Sequence, residues 1–139
     1  MTPRDEFGGR VRHIEQPMID RYAQASGDLN PIHLDGVFAA ATPFGGVIAH
    51  GMLLVGYVGE LLADRFGPAW TRGGALKVRF RTPARPGDWV TTRGRIERVE
   101  GDEPSARRVV CTIECVNQND EVLVSGEARV HGTEEELTL

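Results

Sequence analysis

Cysteine is scarce in this chain: Cys111 and Cys115 are the only two among 139 residues, and both lie in one run of strand character. Four residues of strand hold their Cα atoms roughly 13 Å apart, about twice what a disulfide spans. Neither has the neighbours of a metal knuckle or a redox pair, so both read as small buried apolar residues on one strand face. An excess of charge is missing too. Sixteen Lys and Arg stand against 20 Asp and Glu, a net charge of −4. That excludes a general affinity for nucleic acid or an anionic membrane, although a local basic cluster is still able to hold a phosphate. The opening Met1-Thr2-Pro3-Arg4-Asp5-Glu6-Phe7 lacks the apolar core of a signal peptide, and the expectation is a cytoplasmic protein. The longest apolar stretch, residues 47–66, is interrupted by His50, Glu60 and three glycines, which argues against a membrane span. Repeats, low-complexity blocks and linkers are absent. The expectation is one domain over residues 1–139, with its core over about residues 9–132. A chain of this length buries about two-thirds of its unfolded surface.

What is present begins with two periodicities. After Gly8-Gly9, residues 10–15 suit a short strand. Pro17 stands where a first helical turn tolerates it; Met18, Ile19, Tyr22, Ala23 and Ser26 then follow helical spacing, and Gly27 ends the helix. Asp35 is an N-cap candidate for a short helix over residues 36–41. Residues 47–66 form the one long helix candidate, apolar on most sides and therefore buried. Gly51, Gly56 and Gly59 each cost about 1 kcal/mol there against alanine, which points to a backbone or a ligand passing close. From Ala75 the period changes to two. Leu76, Val78 and Phe80 alternate with charged residues, and strands follow over residues 89–99, 109–117 and 122–131, separated by turn residues. Residues 133–139 are acidic and read as a loose tail. One buried helix with a sheet wrapped round it makes an α+β domain. Its exposed sheet edge is most simply covered by a two-fold homodimer.

The chemistry concentrates around an Asn30-Pro31 turn, where a carboxylate, Asp28, and an imidazole, His33, stand five positions apart. Fully extended, five residues span roughly 17 Å, but a turn draws both side chains towards one point. Together they would hold one water or flank one substrate carbon, as general acid/base catalysis requires. Asp and Asn are also ordinary turn residues, and the turn needs no catalytic reason to exist. Gly51 adds a second element. A helix N-terminus offers unpaired N–H groups and partial positive charge, and a glycine there lets a carbonyl approach the backbone. A packing glycine explains the same residue.

Taken together, Ser26-Gly27-Asp28-Leu29-Asn30-Pro31-Ile32-His33-Leu34-Asp35, then Ile48-Ala49-His50-Gly51-Met52-Leu53, then Val78-Arg79-Phe80-Arg81-Thr82-Pro83 with Gly87-Asp88, resemble the MaoC-like dehydratases. The match runs from about Gly9 to Gly132. These are (R)-specific enoyl-thioester hydratases with a hot-dog fold. The resemblance implies that Asp28 and His33 are the catalytic pair, that Asn30 supports their loop, and that the Gly51 amide polarises the thioester carbonyl. It implies no metal and no redox cofactor, because the thioester itself acidifies C2, and a substrate carried on coenzyme A or acyl carrier protein. One departure stands out. Several relatives carry a serine about two turns into the central helix, near the aspartate; the matching residue is Gly59. That leaves the pair intact but changes what supports Asp28, and a glycine leaves room for a longer acyl chain.

The remaining candidates are weaker. His50 belongs to the family pattern but precedes the helix, where it supports, caps or packs. His13 and His131 fall on strands as surface residues, and the four histidines form no helical pair of metal ligands. No nucleophile elbow or phosphate-binding glycine loop appears. Arg72, Arg79, Arg81 and Arg85 are either solvated strand charges or partners for the phosphates of the carrier. Two other readings share the fold: a thioesterase, in which water attacks the carbonyl, and a non-catalytic acyl-binding or scaffold subunit of a heteromeric dehydratase.

Overall fold

The computed structural model describes residues 5–139; the first four residues of the expected 1–139 domain lie outside them. In chain order the elements are β1 (Glu6–His13), α1 (Gln16–Ser26), α2 (Pro31–Leu34), α3 (Gly36–Ala40) and α4 (Gly51–Phe66). Then follow α5 (Pro68–Gly73), β2 (Ala75–Phe80), β3 (Trp89–Glu103), β4 (Ala106–Val116) and β5 (Val122–Gly132). The five strands form one antiparallel sheet in the order β1-β3-β4-β5-β2.

The period of two sorts each strand into an inner and an outer face. Val109, Cys111, Ile113 and Cys115 of β4 are buried in the core. The outer side chains of β3 and β4 carry ion pairs such as Arg108–Glu100 and Arg93–Glu114. Against the inner face lies α4, whose Leu54, Val58, Leu61, Leu62 and Phe66 are all buried. It touches β1, β3, β4 and β5. Each such side chain contributes about 1.5–3 kcal/mol through burial, so helix and sheet hold each other. This is the hot-dog arrangement of α+β architecture. No helix among the described residues is long and apolar enough to cross a membrane.

The ends of elements differ from the sequence expectation, each for a tertiary reason. The first strand was expected over residues 10–15 but runs Glu6–His13. Gly8-Gly9 does not break it, because the register shifts between Gly8 and Val11 absorb the pair as a bulge. The long helix starts at Gly51, not at residue 47. Residues 47–50 stay outside it, with Ala49 N–H donating to Ala84 O at 2.8 Å and Ile48 N–H to Ile32 O at 3.3 Å. The short third helix ends at Ala40, and β3 continues past residue 99 to Glu103, across from Ala106. The pieces α2 and α5 are too short to register as periodic patterns.

The acidic tail also departs from expectation, being docked rather than loose. Leu137 is fully buried in the core. Around it, Arg65 donates to Leu137 O at 3.0 Å, Arg107 pairs with Glu134 and Arg72 with Glu136. His131 is exposed as expected, whereas His13 is half-buried and stacks on Trp89 at 4.1 Å between centroids.

Candidate active site

Short-range chemistry builds the loop that carries the site. Gly27 closes α1 in the left-handed conformation at φ 78°, its N–H donating to Ala23 O at 2.9 Å. The Asp28 carboxylate then accepts from Asn30 N–H at 3.2 Å. Asn30 in turn caps α2, its Oδ1 accepting from Ile32 N–H at 3.0 Å, and Pro31 occupies the first helical position. Two residues beyond His33, Asp35 caps α3 by accepting from Val37 and Phe38 N–H at 3.0 and 3.1 Å. Two consecutive caps thus fold eight residues into a tight corner.

In that corner the His33 Nε2 stands 3.8 Å from Asp28 Oδ2. This is too long for a direct hydrogen bond, yet one oxygen atom placed between them reaches both. The His33 Nδ1 lies 2.7 Å from Ile48 O. A carbonyl only accepts, so Nδ1 carries a hydrogen, and in the neutral ring Nε2 keeps its lone pair on the edge facing Asp28. The two groups differ in exposure, with the Asp28 side chain 54% exposed and that of His33 only 11%. The pair therefore opens on the carboxylate side.

The start of α4 meets this corner. His50, the N-cap, makes no capping hydrogen bond. Instead its ring is buried, with Nε2 at 2.9 Å from Asp28 O, and it stacks on His33 at 3.8 Å between centroids and 25° between planes. Its Nδ1 is buried without a hydrogen-bond partner among the described residues, a loss of about 1–3 kcal/mol. Because His50 turns inward, no described side chain caps α4 at Gly51. The helix itself is tied down nearby: Tyr57 hydroxyl donates to Met18 Sδ at 3.0 Å, and both Glu60 oxygens accept from Arg12 at 2.6 and 2.7 Å. The guanidinium of Arg12 rises above its ordinary pKa through that Glu60 bond.

The Asn30-Pro31 turn brings Asp28 and His33 together, and His50, next to Gly51, meets them there. Gly59 is two turns along α4, half-buried, and a Cβ placed there meets no atom within 4 Å. No neighbour accounts for Gly56 or Gly59, in contrast to Gly51. The side chains of Asp28, His33 and His50 bring possible ligand atoms within 4.8 Å of one another. The two rings lie stacked, with their planes 25° apart. The His50 Nε2 is also engaged already. A carboxylate and an imidazole thus face each other across 3.8 Å, with a second imidazole stacked on the first.

The four arginines of the sequence reading do not gather. Arg72 pairs with Glu136, Arg81 donates to Ser125 at 3.0 Å, and Arg79 lies on the outer face of β2 opposite Ser125. Arg85 alone approaches the loop before α4, donating to Phe44 O at 2.6 Å. Sequence reasoning missed two contributors. Phe80 packs on Gly51, where a Cβ would fall 2.6 Å from its Cε1; its inward phase on β2 was readable from the alternation with Arg79 and Arg81. Tyr22 sets its ring edge against His50 at 4.8 Å, and no sequence signal pointed to that contact.

Comparison with known proteins identifies the family. The family model of the MaoC like domain matches residues 2–122. A 3-hydroxybutyryl-CoA dehydratase of Methylorubrum extorquens is 38% identical over 124 residues, covering 86% of this chain and 73% of that protein. An (R)-specific enoyl-CoA hydratase of Aeromonas caviae is 34% identical over 109 residues, covering 78% and 79%. The solved (R)-hydratase of A. caviae involved in PHA biosynthesis superposes with a TM-score of 0.76 at 30% identity, over 90% of this chain and 92% of that one. By its matched residues and its fold, the chain belongs to the MaoC-like family.

Proposed function

We propose that this protein catalyses the reversible hydration of trans-2-enoyl thioesters to (R)-3-hydroxyacyl thioesters, with Asp28 and His33 as its acid/base pair. The observation that carries the reading is the 3.8 Å gap between Asp28 Oδ2 and His33 Nε2, with the His33 tautomer fixed by Ile48 O. A water in that gap donates to both groups. As His33 takes one proton, the water oxygen forms a bond to C3 of the enoyl group, and the C2–C3 π electrons move towards the thioester carbonyl. The Gly51 N–H at the start of α4 receives the developing enolate oxygen. Such a donor supplies about 3–4 kcal/mol of transition-state stabilisation in favourable cases. One member of the pair then returns a proton to C2, and the net change is addition of H and OH across the double bond. Dehydration runs the same path backwards. The thioester acidifies C2, so these steps call for no metal or redox cofactor.

The (R) configuration is supported by the relatives named (R)-specific. Coenzyme A is the carrier named for them, and acyl carrier protein is the alternative. Gly59 leaves open space that an acyl chain would enter. Asn30 holds the loop through its cap on α2. We further read the protein as one domain, cytoplasmic and homodimeric. Among the described residues, its outer strands β1 and β2 each pair on one side only, and a two-fold partner would cover such an edge.

The test is a panel of enoyl thioesters differing in acyl length and carrier. The reading predicts loss of enoyl absorbance without release of free thiol, and an (R)-3-hydroxyacyl product. Stoichiometric thiol release would assign a thioesterase instead.

A further inference from the structure

We propose that His50 is the positioning residue of this site: its Nε2–H holds the Asp28 backbone and its ring face holds the His33 imidazole. One side chain thereby fixes both partners relative to the Gly51 amide. The inference rests on the hydratase reading above and deepens it.

Four observations meet at this ring. His50 immediately precedes Gly51, so its Cα is anchored next to the N–H that receives the substrate oxygen. As the N-cap of α4 it forgoes the usual capping bond, is 2% exposed, and turns towards the corner instead. There Nε2 lies 2.9 Å from Asp28 O, which makes Nε2 the protonated nitrogen. The same ring covers the face of His33 at 3.8 Å.

These contacts restrain different motions. The Ile48 carbonyl holds His33 within its plane through Nδ1 at 2.7 Å, while His50 blocks its rotation out of that plane. Tyr22, from α1, backs His50 at 4.8 Å. The Asp28 carbonyl is pinned at the same time, so the Asp28 backbone and the His33 ring are both held to His50. A purely space-filling residue would do without the ring's unpaired Nδ1. Histidine alone combines a flat stacking face with a donor at the Nε2 position.

The test compares His50→Gln, which keeps a donor near the Nε2 position but loses the ring, with His50→Phe, which keeps the ring but loses the donor. Steady-state kinetics use the enoyl thioester that the wild type turns over best, with circular dichroism to establish folding. We expect kcat to fall about 10-fold in the first and about 100-fold in the second, since small misplacements of reacting groups cost rate steeply. KM should stay within about threefold, and both pH–rate profiles should be displaced, because they report the Asp28–His33 pair. Wild-type kcat in either folded variant, or a loss confined to KM, would overturn the proposal. Nitrogen-15 imidazole spectra of the wild type provide a check that does not depend on the variants folding: His50 should be the Nε2–H tautomer and His33 the Nδ1–H tautomer, and the reverse pattern overturns it. If His50 variants run at full rate while Asp28→Asn does not, only this inference fails. If the wild type hydrates no enoyl thioester, the hydratase reading fails with it.

Discussion

Phe80 closes over Gly51: a Cβ at position 51 would stand 2.6, 2.9 and 3.1 Å from three carbons of the Phe80 ring. The ring belongs to the last residue of β2 and is 57% exposed, so it can swing away. Gly51→Ala should therefore cost little stability, because alanine gains up to about 1 kcal/mol of helix preference over glycine. Activity should respond differently. The methyl group stands where a thioester carbonyl would approach, and we expect kcat/KM to drop about 100-fold, the order seen on losing an oxyanion donor. Adding Phe80→Ala relieves the ring contact, not the obstruction, so the double variant should remain impaired. Recovery of full rate in it would show that Gly51 only makes room for Phe80.

Gly59 offers the opposite case. A Cβ there meets nothing within 4 Å, so Gly59→Ala should raise stability by about 1 kcal/mol, read from denaturant midpoints. If the space serves the acyl chain, the variant should lose rate on long enoyl thioesters while keeping it on short ones. An unchanged length profile would remove Gly59 from the site.

The two cysteines should be inert in the native state. Burial pushes the thiols of Cys111 and Cys115 up to about 12, so at neutral pH the reactive thiolate fraction is on the order of 10⁻⁵. A thiol-reactive disulfide reagent should label neither until the protein unfolds, and then both. Rapid labelling of the folded protein would contradict their inward placement on β4.

The docked tail should respond to both packing and pH. Leu137→Ala empties a fully buried site and should cost about 2–5 kcal/mol, measured by thermal or denaturant unfolding. The Glu136 carboxyl is held below its usual range, first by the Thr133 backbone N–H and then by Arg72. A carboxylate pKa lowered by folding contributes stability above its unfolded value near 4.5, and loses that contribution as pH falls through the folded one. Amide shifts of Thr133 and Leu137 should therefore move together below pH 4.5. Arg72→Ala should shift that change to higher pH. Amide shifts that ignore the carboxylate titration would contradict the docking.

Local signals were the legible ones. The Asp28–His33 corner is built by Asn30 and Asp35 caps only two or three residues long, so its residues announce it. The inward phases of β2 and β4 follow from alternation alone. The start of α4 was not legible, because residues 47–50 are apolar enough to extend a helix; hydrogen bonds to Ala84 and Ile32 withdraw them. The His33–His50 stack joins residues whose sequence neighbours give no hint of contact. In the tail a signal was present and passed over: Thr133 and Glu136 form a reciprocal capping box, with both bonds at 3.0 Å. The acidic composition around Leu137 concealed it.

Asp28 and His33 acting on one substrate atom would make each indispensable to turnover. Turnover of a single enoyl thioester by Asp28→Asn and by His33→Ala, with melting temperatures recorded alongside, tests it most directly. Each variant should lose about 10²-fold or more in kcat, and Asp28→Asn, at a half-exposed site, should melt with the wild type. Wild-type turnover by both variants would contradict it.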